Sequence, residues 1–132
     1  MTDDDIKRLL ERTKRIAVIG LSSDPGRPSH GVARSLQGFG YEIVPVNPRE
    51  TEVLGEKSYP DLASVPGDID LVDVFRAPEH VPGIVDACIE RGVPALWLQE
   101  GVVHEDAAQR ARDAGIEVVM DRCVYKEYRR LM

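Results

Sequence analysis

The residues best placed to do chemistry form one run, Gly20-Leu21-Ser22-Ser23-Asp24-Pro25-Gly26-Arg27-Pro28-Ser29. An apolar, β-branched stretch (Ile16-Ala17-Val18-Ile19) precedes it, and a stretch of helical character follows. A strand, a small polar loop and a helix start, in that order, build a phosphate site: backbone N–H groups face the ligand and the helix dipole favours negative charge there. Ser22, Ser23 and Ser29 add hydroxyl donors, and Arg27 adds a planar fork suited to phosphate. The chemistry expected is the binding of a nucleotide-like cofactor. Each residue also has a plainer role to weigh against this. Gly20 serves almost any tight turn, Ser29 caps a helix, Arg27 is a solvated loop charge, and Asn47-Pro48 further on is a common turn pair.

Strands and helices in alternation must position that loop. Thr2 reads as an N-cap with Asp3, Asp4 and Asp5 in the first turn, and Ile6, Leu9 and Leu10 supply an apolar stripe at helical spacing. Strands are expected at about residues 15–20, 42–46, 71–75, 94–98 and 116–120. Helices are expected at about 29–37 (with Ser29 as its cap), 79–91, 105–114 and 125–131, and Gly38, Gly92 and Gly115 act as stops. Residues 49–67 are polar and turn-rich, with a short element near Val53-Leu54. The alternation predicts an α/β fold: a single Rossmann-like, doubly wound domain over residues 1–132. Its five-stranded parallel sheet has an order near 3-2-1-4-5 and helices on both faces. Such sheets bind ligands beyond the carboxyl ends of their strands. That places Asn47-Pro48, Phe75-Arg76, Gln99-Glu100-Gly101 and Asp121-Arg122-Cys123 on the same rim as the loop.

Composition narrows the function classes. At 132 residues, 42% hydrophobic and 30% charged, the chain reads as one soluble domain. Its net charge of −6 argues against nucleic acid as partner. No apolar run reaches a membrane span, and the acidic start is unlike a secretory leader, so the expected address is cytoplasmic. Cys88 and Cys123 lack zinc-like spacing and read as free thiols. His30, His80 and His104 are scattered, which gives no metal site. No two carboxylates share a predicted pocket, so no acid–base pair and no other catalytic constellation is visible.

An NAD(P)-dependent oxidoreductase is the first alternative for this fold. Its fingerprint, G-x-G-x-x-G with an acidic residue about 20 positions on, is broken here: Ser22 stands at the second glycine and Asn47 ends the second strand. A different resemblance covers essentially the full chain. It rests on residues 20–29, on Gly40-Tyr41-Glu42-Ile43-Val44-Pro45-Val46-Asn47-Pro48, on Val72-Asp73-Val74-Phe75-Arg76, on Leu96-Trp97-Leu98-Gln99-Glu100-Gly101-Val102 and on Val119-Met120-Asp121-Arg122-Cys123. These segments resemble the small coenzyme A-binding proteins, a family built like the CoA-binding domain of the succinyl-CoA synthetase α subunit. The resemblance implies CoA or an acyl-CoA as ligand, with its pyrophosphate on the loop from Gly20 and Leu21 through Ser22, Ser23 and Arg27 to Ser29. Asn47, Pro48, Phe75, Arg76, Trp97 and Gln99 are expected to line the rest. The residue types alone do not separate CoA from another phosphorylated nucleotide; the resemblance does. The histidine chemistry of the synthetase belongs to a second domain and is not carried over. The reading is therefore a binding protein that stores, senses or presents CoA. A protein partner, a second copy of the chain, or a ligand-sensing regulatory module stays open.

Overall fold

The computed structural model describes all 132 residues. Helix α1 (Asp3–Arg12) opens with a reciprocal cap: the Asp5 N–H donates to the Thr2 hydroxyl, and the Thr2 N–H donates to the Asp5 carboxylate. Strands β1 (Arg15–Ile19), β2 (Glu42–Val46), β5 (Leu71–Val74), β6 (Ala95–Leu98) and β7 (Glu117–Val119) form one parallel sheet. A two-residue hairpin, β3 (Glu52–Val53) and β4 (Glu56–Lys57), stands apart from it. Helix α2 (Pro28–Gly38) joins α1 and the C-terminal α5 (Val124–Leu131) on one sheet face, where Leu36, Leu9, Trp97 and Val124 pack into one cluster. Helices α3 (Val81–Arg91) and α4 (Glu105–Asp113) cover the other face with Val85, Cys88 and Ala108. No helix is long and apolar enough to cross a membrane.

The α/β class, the parallel sheet and the two helical layers agree with expectation; the strand order does not. It runs β2-β1-β5-β6-β7, or 2-1-3-4-5 for the sheet strands in chain order, instead of 3-2-1-4-5. Leu62, Val65 and Ile69, in the connection after β2, lie on the face opposite α2. A right-handed crossover on that face must carry the chain back past β1. Pro45 gives the local reason why β2 stays at an edge. Its carbonyl accepts from Tyr59 N at 3.0 Å on the outer side, so its missing N–H also faces outward and removes no ladder bond. The order in which strands are added reverses between β1 and β5, and the crevice opens at their carboxyl ends.

Candidate functional site

Gly20 ends β1 at φ +86°, a left-handed conformation, and its N–H donates to Val46 O at 2.9 Å. A Cβ there would lie 2.4 Å from Phe75 O, so the chain passes this close to β5 only without a side chain. The loop beyond is tied to itself. Ser22 N donates to Ser29 Oγ (3.1 Å), Asp24 N to Ser22 Oγ (3.0 Å) and Gly26 N to Asp24 Oδ1 (2.8 Å). Ser29 therefore does not cap α2 as expected. Pro28 occupies the first helical position, Arg27 is the N-cap without a side-chain bond, and Ser29 is buried as a brace for the loop. Asn47 Nδ2 donates to Leu21 O at 3.1 Å and its Oδ1 accepts from Arg49 N at 3.0 Å, fastening the loop to the end of β2. Leu21 is fully buried and can offer a ligand only its backbone.

Two cavities flank this loop and share Gly20, Ser22 and Arg27. One, of about 430 Å³, opens toward β5 and β6; its surface is mostly apolar, with Pro28, Val32, Phe75 and Val102 on its wall beside Ser29, Gln99, Glu100 and Cys123. The other, of about 540 Å³, opens toward β2 and is lined by Asn47, Pro48, Arg49, Glu50 and Arg76, with no apolar side chain. Arg27, Arg49 and Arg76 form no ion pair in the structure. Arg76 instead lies 3.1 Å from His80 Nε2. The Ser23 N–H holds the Glu50 carboxylate at 2.5 Å, a bond that lowers the Glu50 carboxyl below the usual carboxylate range. The loop already binds an oxyanion of the chain's own making.

Of the residues expected at the rim, Trp97 is corrected. It is fully buried in the α1–α2–α5 core, its Nε1 donating to Arg122 O at 2.8 Å, and it offers no surface to a ligand. The others lie around the loop as described, though Ser23 lines neither cavity and acts through its N–H. Cys123 lines the first cavity, on the rim where the sequence places it, whereas Arg49, Glu50, Val32 and Val102 were not singled out from sequence as ligand contacts. Arg49 and Glu50 directly follow the Asn47-Pro48 pair, and that adjacency was the available signal.

Asp73, at the centre of the sheet between Val18 and Trp97, is fully buried. Gln99 Nε2 donates to its Oδ1 at 2.5 Å, while Oδ2 has no partner. Burial pushes this carboxyl up from 3.8 to about 7, outweighing the pull of the Gln99 bond. Between those two values the unfolded chain has lost the proton and the folded chain keeps it, so stability falls as pH rises through that window and levels off above it. Asp73→Asn abolishes this dependence. Relative to the unsubstituted chain it is expected to gain about 4 kcal/mol from about pH 4 to about pH 8, measured by denaturant unfolding.

Comparison with known proteins adds to this geometry. Residues 14–129 match the family model described as a CoA binding domain. The chain is 46% identical over 120 residues to the uncharacterized protein YneT of Bacillus subtilis, covering 91% of this chain and 89% of that one. It is 31% identical over 120 residues to the α subunit of an ADP-forming acetate–CoA ligase (II) of Pyrococcus furiosus, covering 83% of this chain and 26% of the subunit. A Thermus thermophilus structure, cell-free ID.343, superposes with a TM-score of 0.96 at 36% identity over the full length of both chains.

Proposed function

This chain belongs to the family of CoA binding domains, and we propose that it holds coenzyme A or an acyl-CoA across the β1–β5 switch point with no catalytic group of its own. The observation that carries this reading is the pair of unlike cavities meeting at Gly20, Ser22 and Arg27. CoA is built the same way. Its pyrophosphate separates a phosphorylated adenosine from a long, uncharged pantetheine arm. The pyrophosphate lies on the loop, beside Arg27 and the start of α2, and takes the place of the Glu50 carboxylate at Ser23 N–H. The 3′-phosphate enters the polar cavity, where Arg49 and Arg76 supply guanidinium groups that no carboxylate neutralises. The arm follows the cavity lined by Phe75 and Val102 toward Gln99 and Cys123. The bare Gly20 cradle fits this route, because a Cβ there would press on Phe75 and Arg76, which line one cavity each.

Calorimetric titration with CoA, dephospho-CoA, NADH and ATP tests the reading. CoA is expected to bind most tightly, with dephospho-CoA about tenfold weaker for want of one charge-assisted contact. Preference for NADH, or no CoA binding, overturns it. A second reading, a CoA-presenting module that serves a catalytic partner, is supported by the ligase relative, in which the matched segment is 26% of a larger subunit. Recovery of a stoichiometric second chain during native purification would favour it.

A further inference from the structure

The buried carboxyl of Asp73 has no part in phosphate binding, yet it is fixed to a wall of the apolar cavity. Its single side-chain partner is Gln99, which lines that cavity. Gln99 Nε2 donates to Asp73 Oδ1, and above about pH 7 the ionised carboxylate has no proton to give, so the end of the amide facing it stays the NH2 group. The Gln99 carbonyl oxygen is then the free end. Oε1 accepts no bond from the protein and is not sealed from solvent; the sole sealed, unpartnered side-chain atom is Asp73 Oδ2. We propose that Asp73 is a positioning residue that turns the Gln99 carbonyl oxygen into the apolar cavity, giving its wall a fixed acceptor for an N–H donor on the uncharged part of the ligand. The inference rests on the CoA reading and refines it. Either a pantetheine amide or the adenine amino group carries such a donor. A ligand with only acceptors at that point meets a repulsive wall, so the pair sets specificity as well as affinity. An amide held by another amide would lack this constraint, because either end can face the cavity.

Titrations near pH 8.5, where Asp73 is ionised, compare the unsubstituted chain, Asp73→Asn and the double variant Asp73→Asn/Gln99→Glu. The ligands are CoA, 1,N6-etheno-CoA (which lacks the adenine N–H donors) and adenosine 3′,5′-bisphosphate (which lacks the arm). Asp73→Asn lets the Gln99 amide turn over and is expected to weaken CoA about fivefold, the size of one lost neutral hydrogen bond. The double variant restores the arrangement: the new asparagine donates, and the second oxygen of the new glutamate takes the acceptor's place. If the arm carries the donor, the loss appears with CoA and etheno-CoA and not with the bisphosphate. If adenine carries it, the loss appears with CoA and the bisphosphate and not with etheno-CoA. Either pattern, with recovery in the double variant, supports the inference. Equal losses for all three ligands, no loss at all, or no recovery overturns it while leaving CoA binding intact. Failure of the unsubstituted chain to bind CoA overturns the coenzyme reading and this inference with it.

Discussion

Gly20→Val is expected to destabilise the fold by about 4 kcal/mol and to abolish CoA binding by whatever folded protein remains. Two effects add. The backbone at Gly20 sits at φ +86°, where a β-branched residue is strained. The new Cβ would also lie 2.4 Å from the carbonyl oxygen of Phe75. Neither side can retreat easily. Gly20 N is bonded to Val46 O and Phe75 N to Ile19 O, each at 2.9 Å, so both chains are fixed at the crest of the sheet. Gly20→Ala meets the same oxygen with less strain and is expected to lose about half as much. Denaturant unfolding gives the stability and calorimetry the binding. A valine variant as stable as the parent would mean that the loop shifts freely, and the rigid cradle on which the phosphate site depends would not exist.

What could be read from sequence followed from local pattern. β-Branched runs bounded by glycine and proline located all five sheet strands, and the loop after β1 was visible because its Ser, Gly, Pro and Arg residues fit no strand or helix. Strand order is a long-range property, decided by which face the β2–β5 connection covers; Leu62, Val65 and Ile69 settle that only once folded. Pro45 was nevertheless a usable signal, since a central strand would not accommodate it. The hairpin at 52–57 turns on Leu54 and Gly55, both at positive φ, and Leu-Gly lacks the usual Asn-Gly mark of such a turn. Trp97 shows the limit of periodicity. Alternation puts Trp97 and Gln99 on one sheet face but says nothing of depth, and Trp97, opposite Asp73 and Val119, lies below the rim that Gln99 reaches. In sequence Asp73 stands three residues before Arg76, within reach of an ion pair; strand geometry instead buries it against Gln99 and leaves Arg76 to meet His80.

Removing both groups that the two cavities share beyond the glycine, in Ser22→Ala/Arg27→Ala, is expected to weaken CoA by about 3 kcal/mol, about 150-fold in affinity. Arg27 is exposed, caps nothing with its side chain and pairs with no carboxylate, so its guanidinium is available to a phosphate. Ser22 Oγ accepts from Asp24 N, which leaves its own proton to donate. The stability change should be small by comparison, about 1 kcal/mol, because only the Ser22–Asp24 bond is lost from the folded chain. Arg27→Lys keeps the charge and loses the planar fork, so it should fall between parent and double variant. Raising ionic strength should narrow the gap between parent and double variant, since the exposed charge is screened by salt. A folded double variant that binds CoA as tightly as the parent would remove the pyrophosphate from this loop. The polar cavity with Arg49 and Arg76 would then have to hold every phosphate by itself, and the two-cavity division of the ligand would fail with it.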